Sequence, residues 1–214
     1  MSQIKLVVFD MDGTIIEPRS SWAMIHDHFG TDNSEMLQMY IDHKISDKEF
    51  VKADIALWNS KSDRPVNEEY INSILDKAKP RKGAEELIRS LHEENIKTLI
   101  LSGGIQYLAD KWAKKWNMDD ALANDLIDDS EGNLTAVIKS SGHNKGPVME
   151  GMIEKYNLSK NEIAAVGDTV VDIPTFERAG LSVAVNTEDE RVISKANYHL
   201  KGDLSELTKL ILNW

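Results

Sequence analysis

Residues 6–14 read Leu-Val-Val-Phe-Asp-Met-Asp-Gly-Thr, four apolar residues that stop at two aspartates, a glycine and a threonine. A continuous apolar run of this length reads as a strand buried on both faces, the usual state of a parallel-sheet strand. Gly13 permits a tight or left-handed turn that a residue with a Cβ resists. Asp10 and Asp12 therefore fall where a buried strand gives way to a loop, which is where open α/β sheets bind their ligands. Two acids in so poorly solvated a place are costly unless a cation or a shared proton relieves them. On this segment alone, an Asx-rich turn closing a strand is the competing reading.

The chain has 214 residues, enough for one large domain or two modest ones. Its formal net charge of −11 leaves no basic face to displace counterions from a phosphate backbone, so nucleic acid is not an expected partner. The same charge means that any anionic substrate must be drawn in by local positive charge against the global field. The absence of cysteine excludes disulfides and thiolate metal sites and fits a reducing compartment. A first strand starting at about Ile4 leaves no room for a leader, and no apolar run reaches membrane-spanning length. The expectation is a cytoplasmic protein with no membrane partner, either a monomer or a homodimer.

After Thr14 strand character vanishes until about Lys97. Ser20 or Ser21 is placed to cap a helix carrying Trp22, Met24, Ile25 and Phe29, and a second helix is expected over residues 34–43. Ser46 and Glu49 form a capping box for a third, and Asn67 is placed to cap a fourth. Four amphipathic helices with few β-branched residues make a small α-helical bundle, a cap inserted after the first strand over about residues 15–79. From Gly83 onward helices and strands alternate. Strands are expected at 96–101, 163–166 and 181–185, with a β-hairpin insertion around Ser130-Glu131-Gly132-Asn133 joining 125–128 to 134–138. Leu108, Trp112 and Trp116 make a packing stripe on one helix. The fold class is α/β, a doubly wound parallel sheet formed by residues 1–14 and 80–214 and interrupted by the helical cap.

Polar residues recur at three strand ends: Asp10 and Asp12, then Ser102 with Gly103 and Gly104, then Asp168 with Asp172 four residues on. Parallel crossovers gather such ends along one edge of the sheet, and Lys145 lies at a helix start on the way back to that edge. In this order the chain resembles the haloacid dehalogenase-like hydrolase superfamily, and within it the phosphoserine-phosphatase-like branch. The motifs that carry the resemblance are Asp10-Met11-Asp12-Gly13-Thr14, Leu101-Ser102-Gly103-Gly104, Asn144-Lys145-Gly146 and Gly167-Asp168-Thr169-Val170-Val171-Asp172.

The resemblance implies a phosphatase acting on a small phosphorylated metabolite. By the family pattern Asp10 attacks phosphorus and becomes an aspartyl-phosphate. Asp12 protonates the leaving oxygen and then deprotonates water, which needs a carboxyl raised toward neutrality. Ser102 and Gly103 bind the phosphoryl group and Lys145 holds it beside Asp10. With Asp12 protonated, three carboxylates and a phosphate face one lysine, and unit charges 4 Å apart interact by about 4 kcal/mol at an effective dielectric near 20. A divalent cation is needed, and oxygen ligands point to Mg²⁺. The pattern gives its ligands as Asp10, the Asp12 carbonyl and Asp168, with Asp172 either a ligand or a group behind one.

Three departures bear on the substrate. Arg19 stands where phosphoserine phosphatases carry a glutamate for the amino group, their carboxylate-binding arginine has no counterpart, and Val171 replaces an asparagine. Phosphoserine is therefore not the expected substrate, and Arg19 with Trp22 is assigned to reading an acidic or polar leaving group; a solvent-facing arginine is the alternative. A phosphotransferase and a non-catalytic module of the same fold are the competing functions, and carbon–halogen hydrolysis is disfavoured by Asp12. His26 and His28, two apart on a helix, make a poor metal pair. His143 precedes the lysine motif and is expected to bond backbone.

Overall fold

The computed structural model describes residues 4–141 and 144–214, so His143 lies outside the described residues. The apolar run at the start forms β1 (Leu6–Phe9), the middle strand of seven. The others are β2 (Lys97–Ile105), β3 (Asp120–Asp128), β4 (Leu134–Val137), β5 (Ile163–Gly167), β6 (Leu181–Val185) and β7 (Tyr198–Leu200), in the order β4-β3-β2-β1-β5-β6-β7. Every neighbouring pair is parallel except β3 with β4. The chain runs outward from β1 through β2 to the β3–β4 hairpin, then returns to lay β5 against the other side of β1. The strand order therefore reverses between β1 and β5, and their C-terminal ends face the switch point where such sheets bind ligands.

Alternation along β1 feeds two separate apolar layers. Val7 and Phe9 join one cluster with Leu87, Leu91, Leu108 and Trp112 from α5 (Ala84–Glu93) and α6 (Gln106–Trp116). Leu6 and Val8 join the other with Met149 and Met152 of α7 (Lys145–Glu154) and Phe176 of α8 (Ile173–Phe176). A sheet covered on both faces explains why β1 is apolar throughout rather than alternating.

The four helices of the first insertion are α1 (Ser21–Phe29), α2 (Ser34–Ile41), α3 (Asp47–Lys61) and α4 (Glu68–Leu75). Each expected cap is present. Ser20 accepts from the Ala23 N–H, Ser46 and Glu49 form the capping box, and Asn67 accepts from the Tyr70 N–H. Ile25, Trp58, Ile71 and Leu75 carry the bundle's core into the layer that also covers Val7 and Phe9. The two chain crossings are tied together, with Glu17 N–H donating to Lys79 O and Arg81 N–H to Ile15 O, both at 2.9 Å.

The sheet differs from expectation in three places. β3 begins at Asp120, because its first residues pair in parallel with Leu99–Leu101 although Asp120-Ala121-Leu122 carries little apolar signal. β2 continues through Ser102-Gly103-Gly104 to Ile105, its register against β3 breaking between Leu101 and Ile105. β7 and the single turn α9 (Glu190–Ile193) are too short to show a period. The Trp112 and Trp116 stripe is buried as expected.

Candidate active site

Asp10 follows β1 while still on the ladder, its N–H donating to Val166 O of β5 at 2.9 Å. Asp168 follows β5, so pairing of these two strands alone brings the two acids to one edge. Asp172 arrives on the short helical turn beyond. Asp10, Asp168 and Asp172 each offer a carboxylate oxygen within 4.8 Å of the others, the one such group among the described residues. Lys145, the first residue of α7, is 2% exposed and reaches both Asp10 Oδ1 at 2.8 Å and Asp172 Oδ1 at 2.6 Å. The other Asp172 oxygen accepts from the N–H groups of Asp168 and Thr169, each at 3.0 Å. Thr14 Oγ1 donates to Asp168 Oδ1 at 2.8 Å. Gly13 has φ +74°, and a Cβ there would run into the Asp168 carboxylate. Glycine is thus needed both for the turn and for the approach of β5's end.

Asp12 is buried and turned the other way. Its Oδ2 accepts from Ser21 N–H at 2.7 Å and Ser21 Oγ at 2.8 Å, while its Oδ1 has no hydrogen-bond partner. Ser21 Oγ in turn accepts from Ile105 N–H at 3.2 Å, fixing the start of α1 to the end of β2. A Cβ on Gly104 would lie 2.7 Å from both Asp12 Oδ2 and Ser21 Oγ, so the strand passes this contact only as glycine. Ser102 is buried beside them, its Oγ accepting from Gly104 N–H at 3.1 Å. The Gly103 carbonyl accepts from Trp22 Nε1 at 3.0 Å and from Asn124 Nδ2 at 2.9 Å. Asn124 Oδ1 accepts from Lys139 N–H at 2.8 Å and Ser140 N–H at 2.9 Å, joining the Ser102 segment to the loop that leads to Lys145.

Burial dominates the electrostatics. It pushes the Asp10 carboxyl up to about 8, Lys145 opposing it while Asp172 and Asp168 add to it. Burial likewise raises Asp168 to about 7, with Thr14 and Lys145 opposing. The Asp12 carboxyl is raised by burial and held back by its two bonds from Ser21. Burial works against the Lys145 ammonium, but Asp10 and Asp172 more than offset it, so the lysine stays charged. Acids that hold protons near neutral pH beside one fully paired lysine mark a site short of positive charge. An all-oxygen donor set with that deficit fits a hard divalent cation such as Mg²⁺.

The two cap residues singled out for the leaving group fall in different places. Arg19 is exposed and is not among the residues that line the cavity abutting this site. The reason is local: it sits just before α1, with Ser20 and Ser21 rather than Arg19 turned toward the core. Trp22 does line that cavity and stacks on Trp58, which is fully buried. His26 and His28 point apart as expected, His26 to Asp54 and Trp58, and His28 to Tyr70. Ser21 and Asn124 were not singled out by the sequence. A polar residue inside an otherwise strand-like run was the available signal for Asn124, and Ser21 reads only as a helix cap.

A family model described as haloacid dehalogenase-like hydrolase matches residues 4–180. The chain belongs to that hydrolase family, in its phosphoserine-phosphatase-like branch. It is 31% identical to the phosphoserine phosphatase of Archaeoglobus fulgidus over 189 residues, covering 86% of this chain but 53% of that protein. To the phosphoserine phosphatase of Methanocaldococcus jannaschii it is 26% identical, with 97% of each chain covered. A substrate-bound phosphoserine phosphatase superposes with a TM-score of 0.79 at 25% identity over 97% of this chain and 98% of the other. A structure titled as a phospho-aspartyl intermediate analogue of phosphoserine phosphatase gives the same TM-score and identity over 97% of this chain and 99% of the other. Among the described residues no helix is long and apolar enough to cross a membrane.

Proposed function

We propose that the protein is a Mg²⁺-dependent phosphatase that hydrolyses a small phosphorylated metabolite other than phosphoserine through an aspartyl-phosphate on Asp10. The observation that carries this reading is the convergence of Asp10, Asp168 and Asp172 around Lys145, four buried or part-buried charged groups from three separate segments. The relative captured as a phospho-aspartyl intermediate analogue supports the same route.

In this reading Asp10 is the nucleophile, and Lys145, 2.8 Å from it, offsets charge on the phosphoryl group as the bond forms. Ser102 and Gly103 at the bend of β2 bind phosphoryl oxygens. Asp12 carries the proton: with Oδ2 gripped by Ser21, the unpartnered Oδ1 is the oxygen free to give it to the leaving alcohol and later to take one from water. A bound Mg²⁺ would be held by Asp10, the Asp12 carbonyl and Asp168, and would neutralise charge shared between carboxylate and phosphate. Asp172 has both oxygens engaged, by Lys145 and by the Asp168–Thr169 backbone, which suits a positioning role behind the ligands. Residues 15–79 act as the cap and residues 1–14 with 80–214 as the catalytic core, hinged where 14–18 and 79–83 cross. We take the protein to be cytoplasmic, as a monomer or homodimer.

The test is hydrolysis of p-nitrophenyl phosphate and acetyl phosphate with and without Mg²⁺, followed by product analysis with candidate alcohol acceptors. Mg²⁺-dependent phosphate release that Asp10→Asn abolishes supports the reading. Transfer to an alcohol in preference to water would replace it with a phosphotransferase, and no turnover with either compound would leave a non-catalytic module.

A further inference from the structure

Beside the catalytic groups lies a cavity of about 680 Å³, within the range of sites for small molecules. Its floor is made by neighbours of the proposed machinery: Gly103 next to Ser102, Val171 next to Asp172, and Ser20 next to the Ser21 that holds Asp12. A leaving group displaced from a phosphoryl group on Asp10 toward these residues would enter this space.

The cap side of the cavity carries four carboxylates, Asp27, Asp32, Asp47 and Asp54, and among the described residues its lining contains no lysine or arginine. The hydrogen bonds that three of them accept come from uncharged donors. Asp32 accepts from Ser34 N–H, Asp47 from Tyr40 Oη at 2.6 Å, and Asp54 from Asn33 Nδ2 at 3.1 Å. His26 Nε2 lies 3.3 Å from Asp54, while its Nδ1 accepts from Trp58 Nε1 at 3.2 Å and lies 2.7 Å from Thr31 Oγ1. Among the described residues these four acids do not form a metal-binding group as Asp10, Asp168 and Asp172 do. Between them stand Trp22, Tyr40 and Phe50, rings whose faces suit a weakly hydrated cation and whose bulk suits an apolar frame. A separate observation shows that the cavity is built for a ligand. Ser140 is fully buried in its core wall, and its Oγ has no hydrogen-bond partner.

We propose that the leaving group this cavity takes is an alcohol or phenol bearing an amine or ammonium group on an apolar or aromatic frame, without a carboxylate, its polar atoms meeting Ser140 and its cation meeting the acidic wall. The proposal rests on the phosphatase reading and deepens it. Of the acidic or polar leaving group assigned to Arg19 and Trp22 it keeps the polar alternative and sets aside the acidic one, because four carboxylates repel a fifth.

Three aryl phosphates of similar reactivity separate the possibilities: phosphorylated tyramine, phenyl phosphate and 4-(phosphonooxy)phenylacetate. With Mg²⁺ present, kcat/KM should rank cation above neutral above anion, about tenfold or more from first to last, and the spread should narrow at high salt. Asp54→Asn should shrink that spread. Because Asp54 is buried with His26 and Asn33, the rim variant Asp27→Lys is measured beside it, and reversal of charge there should lower the preference about fivefold or more. Equal kcat/KM for the three, or preference for the phenylacetate, overturns this inference while leaving the phosphatase reading in place. Absence of turnover with all three and with p-nitrophenyl phosphate overturns the phosphatase reading and this inference together.

Discussion

Stripped of metal, the protein should become less stable as pH rises from 5 to 8. Asp10 has a folded value of about 8 against an ordinary 3.8, and Asp168 one of about 7. Through that interval the folded state keeps protons that the unfolded chain has already released, so stability falls with pH and levels off above the folded values. Asp10 alone contributes about 1.4 kcal/mol per pH unit, or about 4 kcal/mol across the interval. Asp168 acts in the same direction but shares Lys145 with Asp10, so the pair together amounts to about 4–6 kcal/mol. For a chain of this size that is a fall in Tm of about 10 °C or more. Carboxyls held below the usual range, such as Asp76 and Asp119, have completed their effect by pH 5 and do not blur the interval. His28, lowered by burial, opposes the trend but is largely exposed. Mg²⁺ binds the ionised carboxylates, so the stabilisation it gives should grow from pH 5 to pH 8. Thermal unfolding followed by circular dichroism, in EDTA and in millimolar Mg²⁺, measures both. A metal-free Tm that is flat or rises over this interval, or a slope unchanged in Asp10→Asn, would refute the reasoning.

Asp10→Asn should abolish turnover while raising metal-free stability at pH 8, since it removes one crowded charge at nearly constant volume; circular dichroism and p-nitrophenyl phosphate assays report the two effects. Ser21→Ala removes a hydroxyl bond to Asp12 and leaves Ile105 N–H without its acceptor. It should cost about 1–3 kcal/mol of stability and lower kcat more than it raises KM, as steady-state kinetics and urea unfolding would show. Gly104→Ala places a methyl against Asp12 and Ser21, and should lower kcat about tenfold or more with the fold retained by circular dichroism. Arg19→Ala should leave every KM of a substrate panel within about twofold, as expected for an exposed side chain outside the cavity.

What the sequence revealed and what it hid follow from how local each signal is. Asp10, Ser102 and Asp168 stand directly after apolar runs, and parallel pairing carries all three to one edge, so their proximity could be read from strand ends alone. Lys145 was legible only as a position at a helix start; that it also meets Asp172 depends on where α7 lands. Asn124 was hidden because β3 has too few apolar residues to announce its first half, and its partners at Gly103 and Ser140 come from other segments. Arg19 is exposed and is not among the residues that line the cavity, which the sequence could not show. Its place in the chain, close to the first motif, said nothing about the direction of its side chain. The acids of the cavity belong to α1, α3 and the turn after α1, and no window of sequence contains them together.

The geometry also ties substrate reading to acid catalysis. Asp12 presents Oδ1 because Ser21, at the first turn of α1, holds Oδ2. The same helix supplies Trp22, His26 and Asp27 to the cavity, and Trp22 reaches back to the Gly103 carbonyl beside Ser102. One nine-residue helix thus holds Asp12, touches the Gly103 carbonyl in the bend of β2 and forms part of the cavity wall. In the proposed reaction a leaving group that fills the cavity would pack on the helix that orients Asp12, so its binding energy is expected to be expressed in the chemical step. One that leaves the wall unsatisfied should lose kcat as well as affinity, which steady-state kinetics on the three aryl phosphates would show.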